Sequence, residues 1–251
     1  DAIAAAIKRL AKNEGRIVYV GAGTSGRLAV LDGIELTPTF GWPLERLVYL
    51  FAGGEAGLKH AEEGAEDDTA AGRQAIINND VGKDDVVLAL AASGTTPYTR
   101  TAVQVAREAG ALTISFANNP GAPLLADAQF GVLLRTGPEV LAGSTRLGAG
   151  TAQKAALNLF STSVMIGLNK VYRGHMVDMI ASNEKLVLRA ERMVIEITGC
   201  DLETARKALN ESAYYTKLAV LLVHGKEKSQ ALELLRRHEG NLEAALADRA
   251  D

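Results

Sequence analysis

The stretch Gly21-Ala22-Gly23-Thr24-Ser25-Gly26 follows directly on the apolar run Ile17-Val18-Tyr19-Val20 and leads into a helical pattern over residues 27–36. A buried strand that passes through glycines and hydroxyls into a helix builds an anion site. The glycines admit a ligand close to the backbone, and the helix start turns unpaired N–H groups toward it. The spacing also fits the dinucleotide fingerprint G-x-G-x-x-G, which expects an acidic residue about 20 positions on, at the tip of the next strand. Here the next strand-like run, Leu47 to Phe51, ends in Ala52-Gly53-Gly54, and the first carboxylate, Glu55, lies beyond that turn. Thr24 and Ser25 place two hydroxyls inside the loop. A monophosphate suits this loop better than a pyrophosphate, with Gly23, Thr24, Ser25 and Gly26 as its ligands.

The rest of the chain repeats the alternation. Strand-like apolar runs recur at 47–51, 86–91, 112–116 and 131–134, separated by helical patterns at 58–79 and 97–108. Continuous apolar strands between helices predict an α/β fold, a doubly wound parallel five-stranded sheet covered on both faces. In such sheets ligands bind outside the carboxyl ends of the strands, so the loops after strands carry the interest. Residues 151–168 form a helical segment apolar on most of its circumference, which suits a core helix or a subunit interface. After Met193 strands give way to three short helical patterns, with Asp201 and Asn241 as N-caps. The expected division is therefore 1–193 and a small helical subdomain at 194–251, whose pattern resembles ubiquitin-associated three-helix modules.

Two further hydroxyl-rich loops follow strands: Ser93-Gly94-Thr95-Thr96, ahead of Pro97, and Ser144-Thr145, leading into the helix that bears Lys154. Each alone is an ordinary turn and helix cap; three on one sheet edge make a polar anion pocket. Glu35 lies late in the helical pattern after the first loop, beside Thr37-Pro38. Glu63 and Glu66, spaced i, i+3, share a face if the pattern over 58–79 is one helix. Carboxylates near helix ends are otherwise solvated or dipole-stabilising. The four histidines are scattered, and the single Cys200 excludes an internal disulfide or multi-cysteine metal centre, so no metal site is expected. His224 and Cys200 read as packing residues. The net charge of −3 is spread without blocks, which offers no electrostatic reason for nucleic acid or anionic membrane. No apolar run approaches the roughly 20 residues of a membrane span. The start, residues 1–10, has no signal-peptide layout, so the expected location is the cytoplasm.

Six motifs taken together, GAGTSGRL (21–28), LDGIELTPTFG (31–41), AGGEAGLKHAEEGAEDD (52–68), AASGTTPYT (91–99), GSTRLGAGTAQK (143–154) and MVDMIASNEKL (176–186), resemble the N-acetylmuramic acid 6-phosphate etherase family of the sugar isomerase (SIS) domain superfamily. Members of that family carry a segment ahead of the point where this sequence starts. The resemblance implies a cytoplasmic homodimeric lyase without a cofactor. Its reaction takes a lactyl ether of a phosphorylated amino sugar to N-acetylglucosamine 6-phosphate and D-lactate. It implies Glu35 as the acid that protonates departing lactate and Glu66 as the base at C2. The loops at Thr24-Ser25, Ser93–Thr96 and Ser144-Thr145 then match phosphosugar positions. Departures are Gly33-Ile34 where relatives have Ala-Ser, and Gly148 where many have lysine. An unbroken helix from Thr24 to Glu35 separates them by about 16 Å, too far for one hexose phosphate, which favours a site completed by a second subunit. Other readings of the same residues are an aldose–ketose phosphosugar isomerase, a phosphosugar-sensing regulator and, against the missing strand-tip acid, a nicotinamide enzyme.

Overall fold

The computed structural model describes residues 1–12, 15–60, 62 and 64–248. Its elements in chain order are α1 (Ala2–Leu10), β1 (Ile17–Gly21), α2 (Gly23–Phe40), β2 (Leu47–Phe51), α3 (Gly54–Lys59), α4 (Thr69–Asn78), β3 (Val86–Leu90), α5 (Pro97–Glu108), β4 (Leu112–Ala117), α6 (Pro123–Asp127), β5 (Phe130–Leu133), α7 (Gly148–Gly167), α8 (Glu184–Thr198), α9 (Leu202–Glu211), α10 (Thr216–Val223), α11 (Lys228–Arg237) and α12 (Leu242–Ala247). No helix among the described residues is long and apolar enough to cross a membrane.

The chain divides into two compact units, one of 1–34 with 43–164, the other of 35–42 with 165–251. The first holds a single parallel sheet of order β2-β1-β3-β4-β5. Every residue of β1, β3 and β4 is buried, as their unbroken apolar sequences require of strands covered on both faces. The chain steps from β1 outward to β2, then returns across β1 to β3 and continues the other way. The segments leaving β1 and β3 therefore diverge, and a crevice opens between them.

Register between those two strands is held below their amino ends. Asp85, just ahead of β3, accepts hydrogen bonds from the Arg16 backbone N (3.1 Å), Nε (3.0 Å) and Nη2 (2.8 Å), and from the Gly82 N (2.9 Å). β1 and β3 then run in step from Ile17 beside Val86 to Gly21 beside Leu90. The second unit packs its own core from Val177, Met193, Val194, Leu209, Leu218, Val220 and Leu234, with Cys200 packed at its border. There Lys217, buried, donates to Asp178 Oδ2 at 2.8 Å, with Lys170 Nζ at 3.0 Å from the same oxygen. His224 Nδ1 lies 2.9 Å from the Val220 carbonyl oxygen, a local contact within its own helix end.

Several expectations change. The single helix over 58–79 is broken into α3, a short 3₁₀ turn at Ala65–Asp67 and α4. His60 leaves α3 in extended conformation and Gly64 adopts φ 78°, after which Asp68 starts α4 by accepting from the Ala71 N at 2.8 Å. The helix expected from residue 27 starts at Gly23 and runs through Pro38 to Phe40. Among its described residues the tail carries α9, α10, α11 and α12, four helices in place of three, although Asp201 and Asn241 cap as expected. The divide expected at 193/194 falls inside α8 and inside the second compact unit. On α7, Leu157, Phe160 and Val164 are buried while Leu159 is 66% exposed, so one face is core and the other is open on a single chain.

The Asp85 cluster yields a stability prediction. Burial alone would raise the Asp85 pKa, but the Arg16 side chain, the two backbone N–H donors and the Arg16 charge outweigh it and hold the carboxyl below its usual value. Asp85→Asn is expected to cost about 3 kcal/mol at neutral pH, the size of breaking a buried ion pair. A carboxyl depressed in the fold stabilises above the unfolded pKa of about 3.9 and loses that contribution as pH falls through its folded value. Urea denaturation of wild type and variant across acidic pH should show the difference constant near neutrality and closing on acidification.

Candidate functional site

The loops after β1 and β3 leave neighbouring strands in register, so they begin side by side. In the first, the backbones of Gly21 and Gly26 touch: a methyl on Gly21 would lie 2.8 Å from the Gly26 Cα. Gly26 N bonds to the Ala22 carbonyl at 3.0 Å, leaving the N–H groups of Gly23, Thr24 and Ser25 as the open first turn of α2. Thr24 is half-buried and Ser25 buried. The phosphate-type residues expected in a loop thus sit within the helix start itself, where the dipole favours an anion.

The second loop is held in one shape. Gly94 takes φ 69°, and a side chain there would collide with the Ala122 Cβ. Its carbonyl accepts from Leu124 N and its N–H donates to Ala91 O, both at 3.0 Å. The Ser93 Oγ accepts from Thr95 N (3.2 Å) and Thr95 Oγ1 (3.0 Å), so these two hydroxyls act as one group. Thr96 is half-buried at the cap of α5, with Pro97 in its first turn.

The third loop meets the first: a methyl on Gly150 would lie 3.5 Å from Thr24 Cγ2. Its hydroxyls do not head an open helix start, however. Glu139 reaches α7 and accepts from Gly148 N (2.9 Å) and Ala149 N (2.8 Å), taking the amides an anion would use. Thr145 is exposed and Ser144 half-buried beside it. Glu139 was not legible as a cap, because it stands nine residues ahead of the helix.

Glu66 comes to the first loop. It lines a cavity of about 280 Å³ with Ala22, Gly23 and Arg27 of the α2 start, Phe51 and Ala52 at the end of β2, and Glu62, Gly64 and Ala65 beside it. That volume is at the small end for ligand sites. Glu66 is exposed on its 3₁₀ turn, so the expected shared helical face with Glu63 fails; Glu63 itself lies outside the described residues. Glu35 is not among the residues lining that cavity. It is exposed on α2, eleven residues along an unbroken helix from Thr24, about 16 Å at 1.5 Å per residue. Lys154 is exposed on α7.

Two supports were missed by sequence reasoning. Asp32, buried on α2, accepts from Tyr19 Oη (2.8 Å) and Ser161 Oγ (3.0 Å) and so ties α2 to β1 and α7. Burial pushes its carboxyl up, while the Tyr19 and Ser161 bonds and the Lys154 charge pull it back. Gln153, fully buried on α7, donates to Asn118 Oδ1 at 3.1 Å, and the Asn118 N bonds to Ala92 O at 2.9 Å, bracing the second loop from behind. A lone Gln in an apolar helix and an Asn directly after a strand were the signals available.

The sequence matches the SIS domain model over residues 69–163 and the model of the glucokinase regulatory protein N-terminal SIS domain over 2–107. It is 53% identical to the N-acetylmuramic acid 6-phosphate etherase of Deinococcus radiodurans over 92% of this chain and 77% of that protein. It is 48% identical to the one of Erwinia tasmaniensis over 92% of this chain and 76% of that protein. Among solved structures, a Bacteroides fragilis protein described as a phosphosugar isomerase involved in capsule formation superposes with a TM-score of 0.51. It shares 20% identity and covers 69% of this chain and 83% of that one, a likeness of fold.

Gly94→Ala tests whether the shape of the second loop matters to an anion. It should weaken hexose 6-phosphate binding by about tenfold or more, some 1.4 kcal/mol. Thr145→Ala should change it by less than about half that energy. Isothermal titration of both variants makes the comparison; equal effects would reverse the ranking of the two loops.

Proposed function

Because the chain belongs to the N-acetylmuramic acid 6-phosphate etherase family, we propose that it cleaves the D-lactyl ether of N-acetylmuramic acid 6-phosphate, giving N-acetylglucosamine 6-phosphate and D-lactate. The observation that carries this reading is the cavity in which Glu66 faces the open amide start of α2. A phosphate and a general base are wanted on one small sugar, and these are the groups that serve them.

An ether oxygen at C3 is a poor leaving group. Ring opening exposes an aldehyde at C1, which acidifies the proton on C2. Glu66 takes that proton, the C3–O bond breaks, and Glu35 delivers a proton to the ether oxygen as D-lactate departs. Water then adds to the C2–C3 double bond at C3, returning a proton to C2. The sequence involves no net oxidation or reduction, so no redox cofactor is required. Gly23, Thr24, Ser25 and Gly26, with Ser93, Gly94, Thr95 and Thr96, hold the phosphate; Ser144, Thr145 and Lys154 stand at the margin of that set. Binding energy at the phosphate then orients C2 and C3.

The acid comes from a second copy of the chain. Three features support this homodimer: the unbroken α2, the position of Glu35 beside exposed Leu31 (47%) and Ile34 (54%), and the open apolar face of α7 at Leu159. Residues 31, 34 and 35 share one helical face, so covering it would also surround the Glu35 carboxyl with apolar groups. The setting is the cytoplasm, where such a reaction returns cell-wall amino sugar to metabolism.

The test is release of D-lactate by wild type, Glu35→Ala and Glu66→Ala. Both variants should fall by at least about a hundredfold, the usual scale of acid–base catalysis, with circular dichroism unchanged. Mixing the two variants should restore activity in the mixed dimers, which carry one site with both glutamates. Absence of lactate from wild type would leave an isomerase as the reading of the same proton abstraction, detectable as a ketose product.

A further inference from the structure

The substrate of the proposed reaction carries two anions, a phosphate, which the proposed reading gives to the hydroxyl loops, and the carboxylate of the lactyl group. The cavity beside the α2 start is acidic: its charged lining residues among those described are Glu62, Glu66 and one cation, Arg27. A carboxylate entering it meets repulsion from two glutamates unless that cation receives it.

Arg27 is fixed before any ligand arrives. Its Nε donates to the Leu58 carbonyl and its Nη2 to the Gly57 carbonyl, both at 2.8 Å, on the last turn of α3 where carbonyls lack helical partners. The guanidinium carbon lies 5.6 Å from the centroid of the Phe51 ring. That ring is wedged in turn between Gly26 and Gly57, where added methyls would lie 2.7 and 2.9 Å from ring carbons. One edge of the planar group is thus spent on protein carbonyls and its face on an aromatic ring. The Nη1 group has no hydrogen-bond partner among the described residues, so the Nη1–Nη2 edge remains to be offered. That edge is the fork that takes a carboxylate with two parallel bonds. A guanidinium already held in place loses little side-chain freedom when it does so.

We infer that Arg27 is the specificity-determining residue for the lactyl carboxylate, binding it through this edge and so holding the C3 ether between acid and base. The inference rests on the proposed lyase reading. It also explains how a site with two carboxylates accepts an anionic substituent.

The test compares N-acetylmuramic acid 6-phosphate with its lactyl carboxamide, which keeps the ether and phosphate but has no charge at that position. Wild type should favour the carboxylate by about tenfold or more in kcat/KM, one good charged bond's worth. Arg27→Gln should lose about a hundredfold on the carboxylate but less than about tenfold on the carboxamide, so the preference collapses. Arg27→Lys, with charge but no fork, should be intermediate. Equal losses on both substrates would make Arg27 a structural brace alone and overturn the inference. So would a wild type indifferent to the charge, a result that needs no variant to fold. If wild type released neither lactate nor lactamide, the lyase reading itself would fail, a distinct outcome.

Discussion

Burial of the sheet on both faces is the constraint from which the rest follows. With every residue of β1, β3 and β4 buried, no polar group on those strands can meet a solvated ligand from the side. Chemistry is pushed to the carboxyl edge, and the strand order β2-β1-β3-β4-β5 selects the place on it. The Arg16–Asp85 cluster works at the opposite end, yet it keeps Gly21 level with Leu90 and so starts the two hydroxyl loops from one line. Shifting one of the two strands by one residue would turn its side chains to the other face and offset its loop from the other.

The sheet was legible because its strands are apolar runs bounded by glycines, a pattern with few alternatives. So were the hydroxyl loops after β1 and β3, whose glycines and prolines mark where a strand must stop. The region 58–79 was not. Its alanines and glutamates have good helix propensity, and their local preference favours one continuous helix. The break comes from Gly64 and from Asp68 offering a new cap, and it turns Glu66 away from a helical face and into the cavity. Pro38 misled in the other direction. The helical pattern over 27–36 stops short of it, yet Pro38 is carried inside α2, its carbonyl accepting from Ile180 N at 3.2 Å. Contacts between residues distant in sequence, such as Asp32 with Ser161 and Glu139 with the α7 amides, have no local signature at all.

Gly33 shows how closely one glycine is fitted to its surroundings. Any side chain there would press on the rings of Tyr19 and Tyr49, which stack with centroids 5.8 Å apart. The hydroxyl of Tyr19 then reaches Asp32, so the glycine, the stacked pair and the buried carboxylate form one packing solution. Further along α2, Glu35 is exposed. The two glutamates proposed as base and acid stand on different elements: Glu66 on a short 3₁₀ turn, Glu35 on α2.

The proposed chemistry leaves a mark on every product molecule, and isotopic tracing reads it without any mutation. Turnover of N-acetylmuramic acid 6-phosphate in water enriched in oxygen-18 and deuterium separates the bonds broken and made. Elimination followed by hydration predicts the heavy oxygen at C3 of N-acetylglucosamine 6-phosphate, deuterium at its C2, and D-lactate that keeps the original ether oxygen. Heavy oxygen in the lactate, with C2 still bearing its own hydrogen, would mean attack on the lactyl carbon and would contradict a base at C2.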